Sequence, residues 1–236
     1  MNNQLKTQRG STTTWTIGVI VVLIIGLIVL GKYTGKPAGP VSGTTDILSS
    51  VTSADWTRDN PNAALTLTEY SDLECPACRA YYYALKEIHA QYGTSIKFVY
   101  RHFPLAQHRN ARFASRAAEA AGKQGKFWEM HDALFETQEE WTGRTDTQQT
   151  FETYAEALGL NVEQFKTDYA SDEIIEKVSD HYASGIKYGV ASTPTFFINN
   201  ERQSFSNVND LVAALESALS TTTTNGTATT TSTTTP

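Results

Sequence analysis

Cysteine is nearly absent: the 236 residues hold two, at positions 75 and 78. A disulfide-stapled scaffold is therefore excluded, and no second pair exists to complete a four-cysteine metal site. Basic clusters are missing as well. Nineteen Lys and Arg stand against 25 Asp and Glu, for a net charge of -6 and a pI near 5.4. That balance excludes nucleic acid as the main partner, since phosphate binding needs a concentrated basic surface. No internal repeat is present. At 40% hydrophobic residues, the chain can bury one ordinary core.

One long apolar run occurs, at residues 15–33, bounded by Trp15 and Tyr33. As a helix it would reach ~28 Å, close to the hydrocarbon thickness of a bilayer, with an aromatic residue at each interface. No small-x-small cleavage pattern follows it, so it is expected to be a single-pass transmembrane anchor and not a removed signal. Lys6 and Arg9 before the run are matched by Lys32 and Lys36 after it, so charge does not set the orientation. If the cysteine pair at 75 and 78 carries disulfide chemistry, which persists outside the cytosol, residues 1–14 would lie in the cytoplasm and the C-terminal part on the outer side of the cell membrane.

Residues 34–60, rich in Gly, Pro, Ser and Thr, are expected to form a linker. Residues 61–219 form the folded domain, and the Thr-rich residues 220–236 are expected to be a disordered tail, unable to bury enough apolar surface. Within the domain, residues 65–70 alternate with strand period, residues 75–92 read as a helix closed by Gly93, and residues 96–101 read as a second strand, giving a βαβ unit. A helical insertion is predicted over about 108–188. A third strand follows at 195–199, paired in a hairpin with 202–205, and a last amphipathic helix covers 210–219. The fold class is α/β.

The two cysteines are spaced as Cys75-Pro76-Ala77-Cys78, at the junction of the first strand and the first helix. A disulfide between them closes a ring too small to restrict the unfolded chain, so its value is chemical. Pro76 suits the first helical position, where its missing N–H costs nothing. Cys75 would then sit where unpaired N–H groups and the helix dipole favour an anion, which activates its thiolate as nucleophile and leaving group. Cys78, one turn further in, is placed to resolve a mixed disulfide.

The segment from Tyr70 through Glu74 into this motif resembles the active site of DsbA-like thiol:disulfide oxidoreductases of the thioredoxin superfamily. Phe103-Pro104-Leu105 with His108, the Ala-rich stretch 117–122 and residues 125–131 resemble that family's helical insertion, and Ser192-Thr193-Pro194-Thr195-Phe196 resembles its cis-proline loop. The resemblance covers about residues 60–219 and implies a thioredoxin-like fold with an inserted helical subdomain. It further implies a cis Thr193-Pro194 bond facing the sulfurs. Thr193 would then offer its backbone to an extended substrate segment, with Pro76 and Ala77 completing the substrate-binding rim. Implied cofactors are none beyond the Cys75–Cys78 disulfide itself. Implied partners are reduced exported proteins and a quinone-linked membrane thiol oxidase that recycles the enzyme.

Glu69 shares a strand face with Leu65 and Leu67, six residues before Cys75. Burial there would raise its pKa into the range of a proton relay, and thioredoxin-like proteins resemble this chain in carrying an acid at that offset, associated with deprotonating the inner cysteine. The dipeptide between the cysteines is Pro-Ala where the family's best-known member has Pro-His, and Glu74 adds a negative charge beside Cys75. Both features predict a weaker oxidant. His89, His102, His108, His131 and His181 lack the local spacing of a metal site, so no metal is expected. A monomer is expected, since no dimerisation module separates tether from domain. The alternatives are a reductase or isomerase using the same residues, or a peptide- or metal-binding module without redox activity.

Overall fold

The computed structural model describes residues 51–52 and 55–226, with side chains through 221. The apolar run at 15–33 lies outside the described residues. Among the described residues no helix is long and apolar enough to cross a membrane.

Strand β2 (Leu65–Ser71) is buried along its whole length and is the centre of a five-stranded mixed sheet. It pairs in parallel with β3 (Ile96–His102), Glu69 opposite Tyr100 and Ser71 opposite His102. On its other side it pairs antiparallel with β4 (Thr195–Ile198), Tyr70 opposite Thr195. Helix α1 (Pro76–Tyr92) makes the crossover between β2 and β3. The alternation in β2 sends its residues to two cores. Leu65 and Leu67 join Phe98, Tyr100, α1 and the insertion, while Tyr70 joins Phe103, Val190 and Phe197.

The predicted insertion is present as six helices: α2 (Ala111–Gly122), α3 (Phe127–Glu136), α4 (Gln138–Trp141), α5 (Thr147–Ala157), α6 (Val162–Tyr169) and α7 (Asp172–Lys187). Helix α7 returns the chain along the sheet, and Gly185 sets how near it comes. A Cβ there would stand 2.5 Å from Phe103 Cδ2 and 3.1 Å from Tyr70 Cδ1. Gly185→Val is therefore expected to destabilise the domain by about 2–4 kcal/mol through overpacking, as read by denaturant unfolding. A loss under 0.5 kcal/mol would mean that the helix is free to shift.

Three expectations need correction. The linker does not extend to residue 60, because Trp56–Asp59 forms an edge strand, β1, antiparallel to β3. Its four residues show no apolar alternation; long-range contacts hold them. Trp56 stacks on Phe127 at 4.4 Å, and the Arg58 guanidinium lies over Trp128 at 4.3 Å. Second, the partner of β4 is β5 (Glu201–Arg202), not residues 202–205. Asn199, at φ 52°, makes the turn early and its side-chain oxygen accepts from Thr66 N. Third, the final helix α8 (Val208–Gly226) continues past residue 219 into the Thr-rich segment. Leu211 and Leu215, both fully buried, pin its first turns, and each further residue then adds a hydrogen bond without a new nucleus.

Candidate functional site

Cys75 is the N-cap of α1, with extended backbone (φ -77°, ψ 122°) and Pro76 immediately inside the helix. The strand-to-helix turn before it is built from a buried acid. Asp72 accepts from Glu74 N at 2.8 Å through Oδ1, and through Oδ2 from Leu105 N at 2.8 Å and His108 Nδ1 at 2.7 Å. One carboxylate thus closes the turn and joins it to the loop after β3. From the insertion, Gln138 donates to Leu73 O at 2.7 Å and Cys75 O at 3.1 Å. Glu74 turns to the same side, accepting from the backbone N–H of Asn110 and Gly143. The expected opposition of Glu74 to ionisation of Cys75 is not among the leading influences on that thiol. The insertion is a brace for the cysteine turn.

Both cysteines are free thiols; Cys75 is 7% exposed and Cys78 fully buried. The Cys75 thiol is lowered from 9.0 to about 5, first by the Cys78 side chain, then against the cost of burial by the backbone N–H of Cys78, the Thr193 side chain and the N–H of Ala77. The helix mouth supplies the two backbone donors. The largest influence, the inner thiol donating to the outer thiolate, comes instead from the approach of the two side chains. Cys78 is correspondingly pushed well above 9.0, by burial first and then by Cys75 and Glu69. One proton is therefore held on the inner sulfur while the outer carries the charge.

The Thr193-Pro194 bond is cis, as the resemblance implied. Cys75 Sγ lies 3.6 Å from Thr193 O, and the Thr193 side chain is buried beside it. Pro76 and Ala77 are exposed beside Cys75, with Ser192 exposed across from them. Thr193 of the cis-proline loop is thus brought to Cys75, next to the exposed Pro76 and Ala77. Glu69 lies beneath it, 2% exposed. Its carboxyl is raised from 4.5 to about 7 by burial, with Cys75 adding to the shift and Ser71 opposing it.

Asp72, Gln138 and Asn110 were not singled out as site residues. Asp72 carried a signal, an Asx residue two before Glu74 in a turn. Gln138 carried none, because its partners are 63 and 65 residues away.

Among the described residues, His102, Glu119 and His181 bring potential metal-ligand atoms within 4.8 Å of one another. Both Glu119 oxygens are already engaged. Oε1 faces His102 Nε2 at 3.1 Å, and Oε2 accepts from Trp56 Nε1 at 2.9 Å and Lys177 Nζ at 2.7 Å. A cation already occupies the charge of this carboxylate, so the cluster fits a buried hydrogen-bonded strut better than a metal centre.

The family model described as Thioredoxin matches residues 52–217. The Na(+)/H(+) antiporter NhaA 1 of Mycolicibacterium gilvum is 38% identical over 169 residues, covering 69% of this chain and 26% of that protein. NhaA 3 of Salinispora tropica is 33% identical over 220 residues, 92% of this chain and 32% of that protein. The chain spans about a quarter to a third of the length of the curated relatives it matches. Among solved structures, a thioredoxin-like oxidoreductase from Silicibacter pomeroyi is similar at a TM-score of 0.59 and 26% identity, covering 71% of this chain and 93% of that one. BdbD from Bacillus subtilis reaches a TM-score of 0.63 at 20% identity, covering 71% and 94%, and α-DsbA1 from Wolbachia pipientis 0.60 at 20%, covering 72% and 91%. These last two share the fold.

Proposed function

The chain belongs to the thioredoxin family, and from that premise we propose that it is a thiol:disulfide oxidoreductase which introduces disulfides into exported proteins. The observation that carries this reading is the unequal sulfur pair: an outer thiolate at the helix mouth facing the cis-proline loop, and an inner thiol above a buried acid. A substrate thiolate attacks Cys75 of the disulfide form, Cys78 departs and takes up a proton, and a second substrate thiolate attacks the mixed disulfide to leave Cys75 as thiolate. The low pKa of Cys75 makes it the good leaving group in that last step, which favours donation of the disulfide. Residues 15–33 would hold the domain at the outer face of the membrane, where a quinone-linked thiol oxidase would restore the disulfide. The long antiporter relatives share this domain-sized segment, and no transport activity is carried over from them.

Titration of the pair against glutathione, followed by thiol alkylation in intact cells, tests the reading. A mainly oxidised pair accessible only to reagents outside the cytosol is expected. A pair permanently reduced in cells would overturn it.

The rim makes a separate prediction. Thr193→Arg places a long charged side chain across the backbone to which a substrate strand would pair, so oxidation of a reduced protein is expected to slow about tenfold or more. The equilibrium potential of the pair should move far less. Equal loss of both would count against a docking role for this loop.

A further inference from the structure

Beside Glu69 lies a small cavity of about 10 Å³, lined by Glu69, His131, Arg58, Tyr82, Lys86 and His89 among others. That is about the space of one water molecule. Lys86, in the same lining, is half exposed, so the cavity joins the buried acid to a side chain that meets solvent.

His131 is the polar group best defined in its wall. Its ring is 4% exposed, on α3. Nδ1 lies 2.8 Å from Asp132 Oδ1, and a carboxylate can only accept, so Nδ1 carries the hydrogen and Nε2 presents a lone pair. Nε2 is buried with no protein partner. Asp132 is itself held by Arg58 at 3.0 Å, which fixes the tautomer from outside. A buried acceptor without a partner is costly, and here it sits in the wall of a water-sized space shared with a carboxyl group. Tyr100, paired in register with Glu69, likewise leaves a buried hydroxyl without a partner, and its ring meets the His131 ring edge-on at 4.7 Å.

We propose that His131 is a positioning residue which holds, through Nε2, a single water that carries protons between Glu69 and solvent. The inference rests on the reading of Cys75 and Cys78 as an exchange pair. When a partner disulfide reoxidises the protein, a partner–Cys75 mixed disulfide forms. The Cys78 S–H bond then breaks, its proton passes to the Glu69 carboxylate, and the Cys78 thiolate attacks the Cys75 sulfur. The Cys75–Cys78 bond forms, the partner's thiolate leaves, and Glu69 returns its proton to the water, which passes one on through the mouth. In substrate oxidation the same path runs inward.

The charged and titratable groups around this path come from four elements. Cys78, Tyr82, Lys86 and His89 face it from α1, Cys75 from the N-cap of that helix and Arg58 from β1, with Tyr82 and Lys86 both bonded to Glu136 of α3. Tyr100 comes from β3, and His131 with Asp132 from α3. Burial lowers the His131 ring to about 4, so it stays a neutral acceptor through the working range.

Two substitutions separate positioning from packing. His131→Asn retains a donor where Nδ1 was and removes the acceptor in the cavity; His131→Gln does the reverse. The rate at which a preformed mixed disulfide on Cys75 is resolved by Cys78 is expected to fall about tenfold in His131→Asn, with a raised solvent deuterium isotope effect, and to stay near wild type in His131→Gln. The equilibrium potential should be unchanged in both. The reverse order of rates, or a common shift in potential, would overturn the proposal. Independent of any variant, the nitrogen-15 spectrum of the wild-type protein should show a neutral Nδ1–H ring for His131 down to pH 5; an Nε2–H or charged ring would overturn it too. Absence of any dithiol oxidation by the wild type would instead strike the proposed function.

Discussion

Cys75→Ser is expected to lower oxidation of a reduced model protein by more than about a thousandfold, because it removes the attacking and leaving sulfur together. Cys78→Ser is expected to trap mixed disulfides formed with a partner disulfide, since the only thiol of the chain itself that could resolve them is gone. The inner position carries a second, separable effect. The Cys78 side chain is the largest influence holding Cys75 at about 5, and serine can still donate a hydrogen bond to the neighbouring thiolate while alanine cannot. The alkylation midpoint of Cys75 should therefore rise in Cys78→Ala, toward the value set by the Ala77 and Cys78 N–H groups and Thr193, and rise less in Cys78→Ser. At neutral pH the alanine variant should be alkylated more slowly than wild type. The measurement is the rate of iodoacetamide reaction against pH, with total modification confirmed by mass. Identical midpoints in wild type, serine and alanine variants would show that backbone donors alone activate the thiolate. Full turnover by Cys78→Ser would overturn the assigned roles.

The contrast between these two sources of activation marks what the chain discloses before it folds. Helix starts are local: Pro76 after Cys75 and Gly93 at the far end delimit α1 from sequence alone, and the alternation of residues 65–70 delimits β2. The burial of Glu69 follows from the same alternation. The brace around the cysteines does not, because Gln138, Asn110 and Gly143 meet Leu73, Cys75 and Glu74 across the whole length of the first insertion helices. Hydrogen bonds to backbone leave no periodicity to read. Strand β1 leaves no local signal for a related reason: what holds Trp56 and Arg58 is the pair of rings at Phe127 and Trp128, not an alternation within four residues. Such edge elements are decided by tertiary contacts over propensity.

Glu69→Gln should make the protein more stable and less competent at once. In the folded state the carboxyl ionises near 7, against an ordinary value of 4.5, because burial penalises its charge. Its folded-state pKa is raised, so the native state binds more protons than the unfolded chain between those values. Its favourable contribution is complete below pH 4.5 and is lost as pH rises through 7. The loss amounts to about 3 kcal/mol at pH 8, from 1.36 kcal/mol per unit over the shift. Glutamine copies the protonated acid and does not titrate. The variant and the wild type are therefore expected to unfold alike at pH 4, and to separate above pH 7 with the variant higher by roughly 6–12 °C. The comparison belongs in the oxidised protein, where neither thiol titrates and only the larger, burial part of the shift remains, so the separation there is at the lower end of that range. The same substitution removes the acceptor for the Cys78 proton, so resolution by Cys78 should slow by about a hundredfold and lose its inflection near pH 7. Equal stability at pH 8 would mean that water reaches Glu69 freely. A stabilised variant with an unchanged rate would assign the burial to packing and send the Cys78 proton elsewhere.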